Sequence, residues 1–74
     1  MTDTMKKAFN DAIDKIEEVY DDIERIEMNV NVEAHEVHGK EREESIDHTE
    51  LLSTAMEIIS QARYLVEYVS RKRS

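Results

Sequence analysis

Apolar residues recur through the first half of the chain at alternating steps of four and three: Met5, Phe9, Ala12, Ile16, Val19, Ile23, Ile26 and Val30. A period of about 3.5 residues keeps one stripe of a helix facing a partner helix. In heptad terms Phe9, Ile16, Ile23 and Val30 take position a, and Met5, Ala12, Val19 and Ile26 take position d. The second half repeats the pattern with Leu52, Ala55, Ile59, Ala62, Val66 and Val69. Beside that stripe a further ridge, Leu51, Ile58 and Leu65, recurs every seven residues at position g. Both halves therefore predict long amphipathic helices. Neither stripe contains a Gly or Pro to interrupt it.

Between the stripes, Asn29 to Asn31 has weak helix propensity, which allows a kink, but no second strand pattern exists to pair with it. Gly39 is the chain's one glycine, and a left-handed cap at the end of the first helix places the turn there. Asp47 and Glu50 have the spacing of a capping box, which marks the start of the well-packed part of the second helix. In an antiparallel hairpin, paired seam positions have a constant index sum. Ile26 with Leu52, Val19 with Ile59 and Ala12 with Val66 each add to 78, twice the position of Gly39. Toward the turn the same register sets Val30 against His48 and Glu33 against Ser45, so a looser end is expected there. The fold class that follows is all-α: an antiparallel, coiled-coil-like helical hairpin turning near Gly39. It forms a single domain over residues 1–74, with helix 1 at about 3–37 and helix 2 at about 41–72.

The apolar surface is wider than a two-helix seam needs. Ile13 and Tyr20 on helix 1 and Met56 on helix 2 add position e, and Leu51, Ile58 and Leu65 add position g. Below roughly 70–80 residues, one core rarely supplies more than about 3–5 kcal/mol. Covering each g side chain is worth about 1.5–3 kcal/mol. The simplest cover is a second copy, so a homo-oligomer is expected: a dimer forming a four-helix bundle, or a tetramer. Leu51, Ile58, Leu65, Ile13 and Tyr20 are the candidate apolar interaction residues.

Composition narrows the chemistry. The chain has 74 residues, with 10 Lys and Arg against 18 Asp and Glu, a net charge of −8. Without Cys there is no disulfide framework or thiolate metal site. One glycine cannot build a phosphate loop. The longest apolar run is three residues, Tyr64 to Val66, so no membrane span is expected. The first residues lack the apolar core of a secretory signal, and the expected location is cytoplasmic.

Acidic residues gather on the outer face of helix 1. Eight carboxylates between Asp11 and Glu27 stand against Lys15 and Arg25, a segment charge of −6. Asp14, Glu17, Glu18, Asp21 and Glu24 form the candidate acidic interaction face. Glu18 and Asp21 have a spacing used for Mg²⁺, but helix 2 offers no matching carboxylate pair, so the cluster reads as a solvated face. His35 and His38 lie three residues apart, on one face if helical, opposite Glu43. No Glu-x-x-His pair accompanies them, and no metal or cofactor is expected. Lys6, Lys7, Arg71, Lys72 and Arg73 gather where the chain's two ends meet and complement the helix dipole. Five cations beside one aromatic, Phe9, make a weak nucleic-acid footprint, so direct nucleic-acid binding is not expected. The serines have no Gly-rich elbow, and no nucleophilic constellation forms.

These features point to a non-enzymatic protein-interaction module. Its expected partner is a protein with a basic surface, met by the acidic face or the apolar ridge. Two alternatives share the same features: an acidic inhibitor mimicking nucleic acid, of the kind phages encode, and an oligomer that sequesters a small ligand near Tyr20, Tyr64 or Tyr68.

Overall fold

The computed structural model describes all 74 residues as two helices, α1 (Asp3–Glu36) and α2 (Lys40–Arg73), packed side by side as a hairpin. Each helix is 34 residues long, which at 1.5 Å per residue is about 51 Å. The molecule is accordingly a thin rod whose Cα atoms span 56 × 15 × 10 Å. Thr2 caps α1, its hydroxyl accepting a hydrogen bond from the Met5 amide at 3.2 Å. α1 runs unbroken through Asn29 to Asn31, so the weak propensity there produces no interruption. In so long a helix, flanking turns outweigh a few tenths of a kcal/mol per residue.

The connection is Val37-His38-Gly39. Val37 is extended and ends α1, and Gly39 serves as the N-cap of α2 rather than as the terminal cap of α1. Its carbonyl accepts from the Glu43 amide at 3.2 Å. Gly39 has φ 65° and ψ −132°, a combination reached without strain only by glycine. The helix then starts at Lys40, seven residues before Asp47, so Asp47 and Glu50 lie within α2 and form no cap. Asp47 has no role as a boundary because nothing between Gly39 and Asp47 breaks the helix.

The two stripes meet along a seam rotated from the one the heptads suggest. Val19, Ile26 and Val69, assigned to inner d positions, are exposed. Ile13, Tyr20 and Met56, assigned to the flank, are half-buried. The observed seam is centred on position a and takes in the e side chains: Phe9, Ile13, Ile16, Tyr20, Ile23, Val30 and Ala34 on α1, with Ser45, Thr49, Leu52, Met56, Ile59 and Val66 on α2, while the smaller d residues Ala12, Ala55 and Ala62 stay half-buried at its edge. The two side-chain pairs that cross the hairpin, Glu17 with Arg63 and Glu27 with Ser53, each add to 80, two more than the a/d register. Side-chain size accounts for the rotation. It brings the long e side chains Tyr20 and Met56 into the interface, and these bury more area than Ala12, Ala55 or Ala62 at d.

The turn end is closed rather than loose. Ala34 and Ser45 are the two buried residues of the chain. Small side chains at these positions let the helix backbones approach. Thr49 donates its hydroxyl to the Ser45 carbonyl at 3.0 Å, and no buried side-chain polar atom lacks a partner. Everywhere else the seam is half-exposed, as the geometry of two isolated helices requires.

Space around Gly39 is open, and a Cβ added there would meet nothing within 4 Å. Any cost of substitution is therefore backbone strain alone. Gly39→Ala is expected to lower unfolding stability by about 1–3 kcal/mol while leaving the helical signal unchanged. Chemical denaturation followed by circular dichroism measures both.

Candidate interaction surfaces

Rotation of the seam gives the rod two unlike sides. On the side of positions e and b, polar groups clasp the helices together. Arg63 reaches across the hairpin to Glu17, Nη2 to Oε1 at 2.7 Å, and along its own helix to Glu67, with Nε donating to Oε1 at 3.0 Å. One heptad and more toward the turn, Ser53 donates to Glu27 Oε2 at 3.1 Å. Between these clasps lies an open groove of about 460 Å³ lined by Ile16, Tyr20, Asp21, Ile59, Ser60 and Arg63. The hydrogen bond to Glu67 raises the Arg63 pKa above its ordinary value, lost hydration pulls against it, and the charges of Glu17 and Glu67 add to the rise. Arg63 therefore stays cationic throughout the working pH range. A raised pKa stabilises the fold below the unfolded value and fails only above it, so this clasp gives no pH dependence near neutrality.

The opposite side, built from positions d and g, carries no cross-hairpin hydrogen bond or ion pair. It presents Val19 and Ile26 from α1 beside Leu51, Ile58, Leu65 and Val69 from α2, each 43–66% exposed. On α1 Val19 and Ile26 are seven residues apart, and on α2 Leu51, Ile58 and Leu65 recur at the same interval. Levels seven residues apart are about 10.5 Å apart along a helix. Monomeric proteins rarely leave a contiguous apolar strip of this kind to water.

The residues named from sequence are thus distributed over three surfaces. Leu51, Ile58 and Leu65 lie together on the apolar side, with Val19 and Ile26 joining them. Ile13 and Tyr20 lie in the seam and on the clasped side, away from that ridge. Of the acidic residues, Asp14, Glu18, Asp21 and Glu24 are exposed and unpaired on the outer surface of α1, whereas Glu17 is half-buried and held by Arg63. Asp22 is paired with Arg25 on the same helix. The contribution of Val19 and Ile26 to the apolar side was hidden by their regular heptad spacing, which assigned them inward. The e-position residues Ile13, Tyr20 and Met56 were the available signal that the seam could turn the other way.

His35 lies in the last turn of α1, and His38 lies beyond it in the connection, so the two do not share a helical face. No three His, Asp or Glu side chains converge in a way that could hold a metal ion. At the tip where the termini meet, the Lys72 ammonium sits over the Tyr68 ring, 5.5 Å from its centroid. Neither helix is apolar enough over the required length to cross a membrane.

No known protein family, curated protein or solved structure matches the chain.

Two substitutions separate the seam from the clasp. Ile59→Asp places an unpaired carboxylate in the apolar seam and is expected to unfold the hairpin. Arg63→Gln should lower the thermal midpoint only at low salt, and its difference from the unsubstituted chain should vanish at 1 M salt, where the Debye length is about 3 Å. Melting curves at both ionic strengths read the two effects.

Proposed function

We propose that the chain is a non-enzymatic interaction protein: a homodimer in which two hairpins form a four-helix bundle and present acidic outer surfaces to a protein with a basic face. The observation that carries this is the exposed strip of Val19, Ile26, Leu51, Ile58, Leu65 and Val69. A hairpin with two buried residues gains little core by itself, and a second copy covers the strip with identical chemistry. What stays outward after pairing is the back of α1, with Asp14, Glu18, Asp21 and Glu24. Those carboxylates attract a basic surface at long range and steer its approach. The open Tyr20 groove supports no enclosed small-molecule site, since ligand pockets usually cover most of their ligand.

Sedimentation should give the mass of two chains. Leu51→Glu, Ile58→Glu and Leu65→Glu together should return the monomer mass while preserving most of the helix, because these positions lie outside the seam. Capture of the partner should weaken sharply between low and 1 M salt. Reversal of Asp14, Glu18 and Asp21 to Lys should abolish capture with helix content intact. Partner capture that survives both treatments would reduce the acidic surface to a solubilising one, and a stable monomer at high concentration would refute the dimer.

A further inference from the structure

We infer that the apolar side docks a second copy about a two-fold axis perpendicular to the rod, so that the two hairpins run in opposite directions with α1 on α1 and α2 on α2. This rests on the dimer proposed above and specifies its geometry. The argument comes from the charges that border the strip. Position g on α1 carries Lys15 and Asp22 at its middle and Glu36 at its end, and position g on α2 carries Glu44 and Lys72 at the ends of the Leu51, Ile58, Leu65 ridge. All five are exposed.

In an antiparallel pair of identical helices, g positions face g positions across a fixed centre. A centre at Ile58 sets Leu51 against Leu65 of the second copy and Glu44 against its Lys72. On α1, a centre midway between Lys15 and Asp22 sets each against the other. Lys15, Asp22, Glu44 and Lys72 thus each meet an opposite charge, twice over by symmetry, while Glu36 at the end of α1 meets no charged side chain. The two centres are also mutually consistent. Each lies within two residues of the midpoint of its helix, Asp3–Glu36 or Lys40–Arg73, and both are displaced toward the termini. One axis can therefore pass through both, and the two rods overlap over nearly their whole length. The 56 × 15 Å envelope then offers roughly 800 Å² per partner, the size of a standard interface.

Packing agrees with the charges. The proposed axis sets Ile26 near Ala12 of the second copy and Leu51 against its Leu65, so a large α1 side chain meets a small one. The same axis sets the basic tip, with Arg71, Lys72 and Arg73, beside the acidic turn end of the other hairpin. The competing two-fold, parallel to the rod, stacks α1 on α2. It would bring both basic tips together, press Lys15 and Asp22 onto the Leu65 and Ile58 ridge, and approach Glu36 to Glu44. Asp22 already holds Arg25 through one carboxylate oxygen, and its second oxygen is free for Lys15 of the second copy. Lys72 is held over the Tyr68 ring at the border of the strip.

The chain contains no cysteine, so single-cysteine variants report the geometry directly. Under mild oxidation Ile58→Cys should form at least about tenfold more disulfide-linked dimer than Leu51→Cys, Leu65→Cys or the outward control Met28→Cys. A mixture of Leu51→Cys with Leu65→Cys should yield the linked heterodimer. Linkage in a mixture of Val19→Cys with Ile58→Cys, together with none in Ile58→Cys alone, would overturn the perpendicular axis in favour of the parallel one. Charge reversal is the second measurement. Lys15→Asp should weaken dimerisation about tenfold at low salt, and adding Asp22→Lys in the same chain should restore it. Absence of rescue would also overturn the geometry. Sedimentation of the unsubstituted chain separates the two levels: a monomer refutes the dimer itself, whereas a dimer with the wrong cross-links refutes only this arrangement.

Discussion

Two isolated helices can hide only the strip along which they touch, and every other property of this protein follows from that limit. Each 34-residue helix carries more apolar side chains than one strip can accommodate. The hairpin must choose which to cover, and it favours positions a and e over the large d side chains Val19, Ile26 and Val69. That choice draws Tyr20 and Met56 inward and leaves Val19 and Ile26 beside the Leu51, Ile58, Leu65 ridge. The clasped side and the bare side are consequences of a single rotation about the helix axes. Polar clasps such as Arg63 to Glu17 form on the side where the helices lean together, and none form on the other.

An exposed strip of this composition is energetically costly to leave in water, at about 25 cal/mol per Å² of apolar surface. In the proposed dimer, association would convert that cost into the missing core. The acidic back of α1 serves a separate purpose. A net charge of −8 keeps such a molecule from associating indiscriminately through its apolar side. Self-pairing remains compatible with this charge only if opposite charges meet at the border, which ties the electrostatics of the surface to the geometry of the apolar strip.

Much of the fold was legible in the residues. The heptad steps and the lone Gly39 imply two long helices, an antiparallel arrangement and a central turn, because each rests on backbone geometry that local sequence dictates. The rotation of the seam was less legible. A heptad pattern with a, d, e and g all partly apolar is satisfied equally by an a/d or an a/e contact, and side-chain volume across the interface decides between them. The turn end misled for a related reason: polarity at Glu33 and His48 implied looseness, whereas the small size of Ala34 and Ser45 controls how closely the backbones approach. Asp47 and Glu50 show that capping spacing has meaning only where a helix ends. Among the residues of the exposed apolar strip, Leu51, Ile58 and Leu65 were visible from spacing alone, but their companions Val19 and Ile26 required the seam to be located first.

The two buried residues, Ala34 and Ser45, lie near the turn, where closing the chain costs least entropy. The earliest contacts available to the unfolded chain are therefore also the best packed, and the rest of the hairpin can add outward from them like a zipper. Sequence separation between facing residues grows steadily from this end to the termini, so local opening should begin at the basic tip and travel toward Gly39. Amide protection against hydrogen exchange would then form a gradient along the rod, highest around Ala34 and Ser45 in the free hairpin. A bound second copy would flatten that gradient by anchoring the middle of both helices.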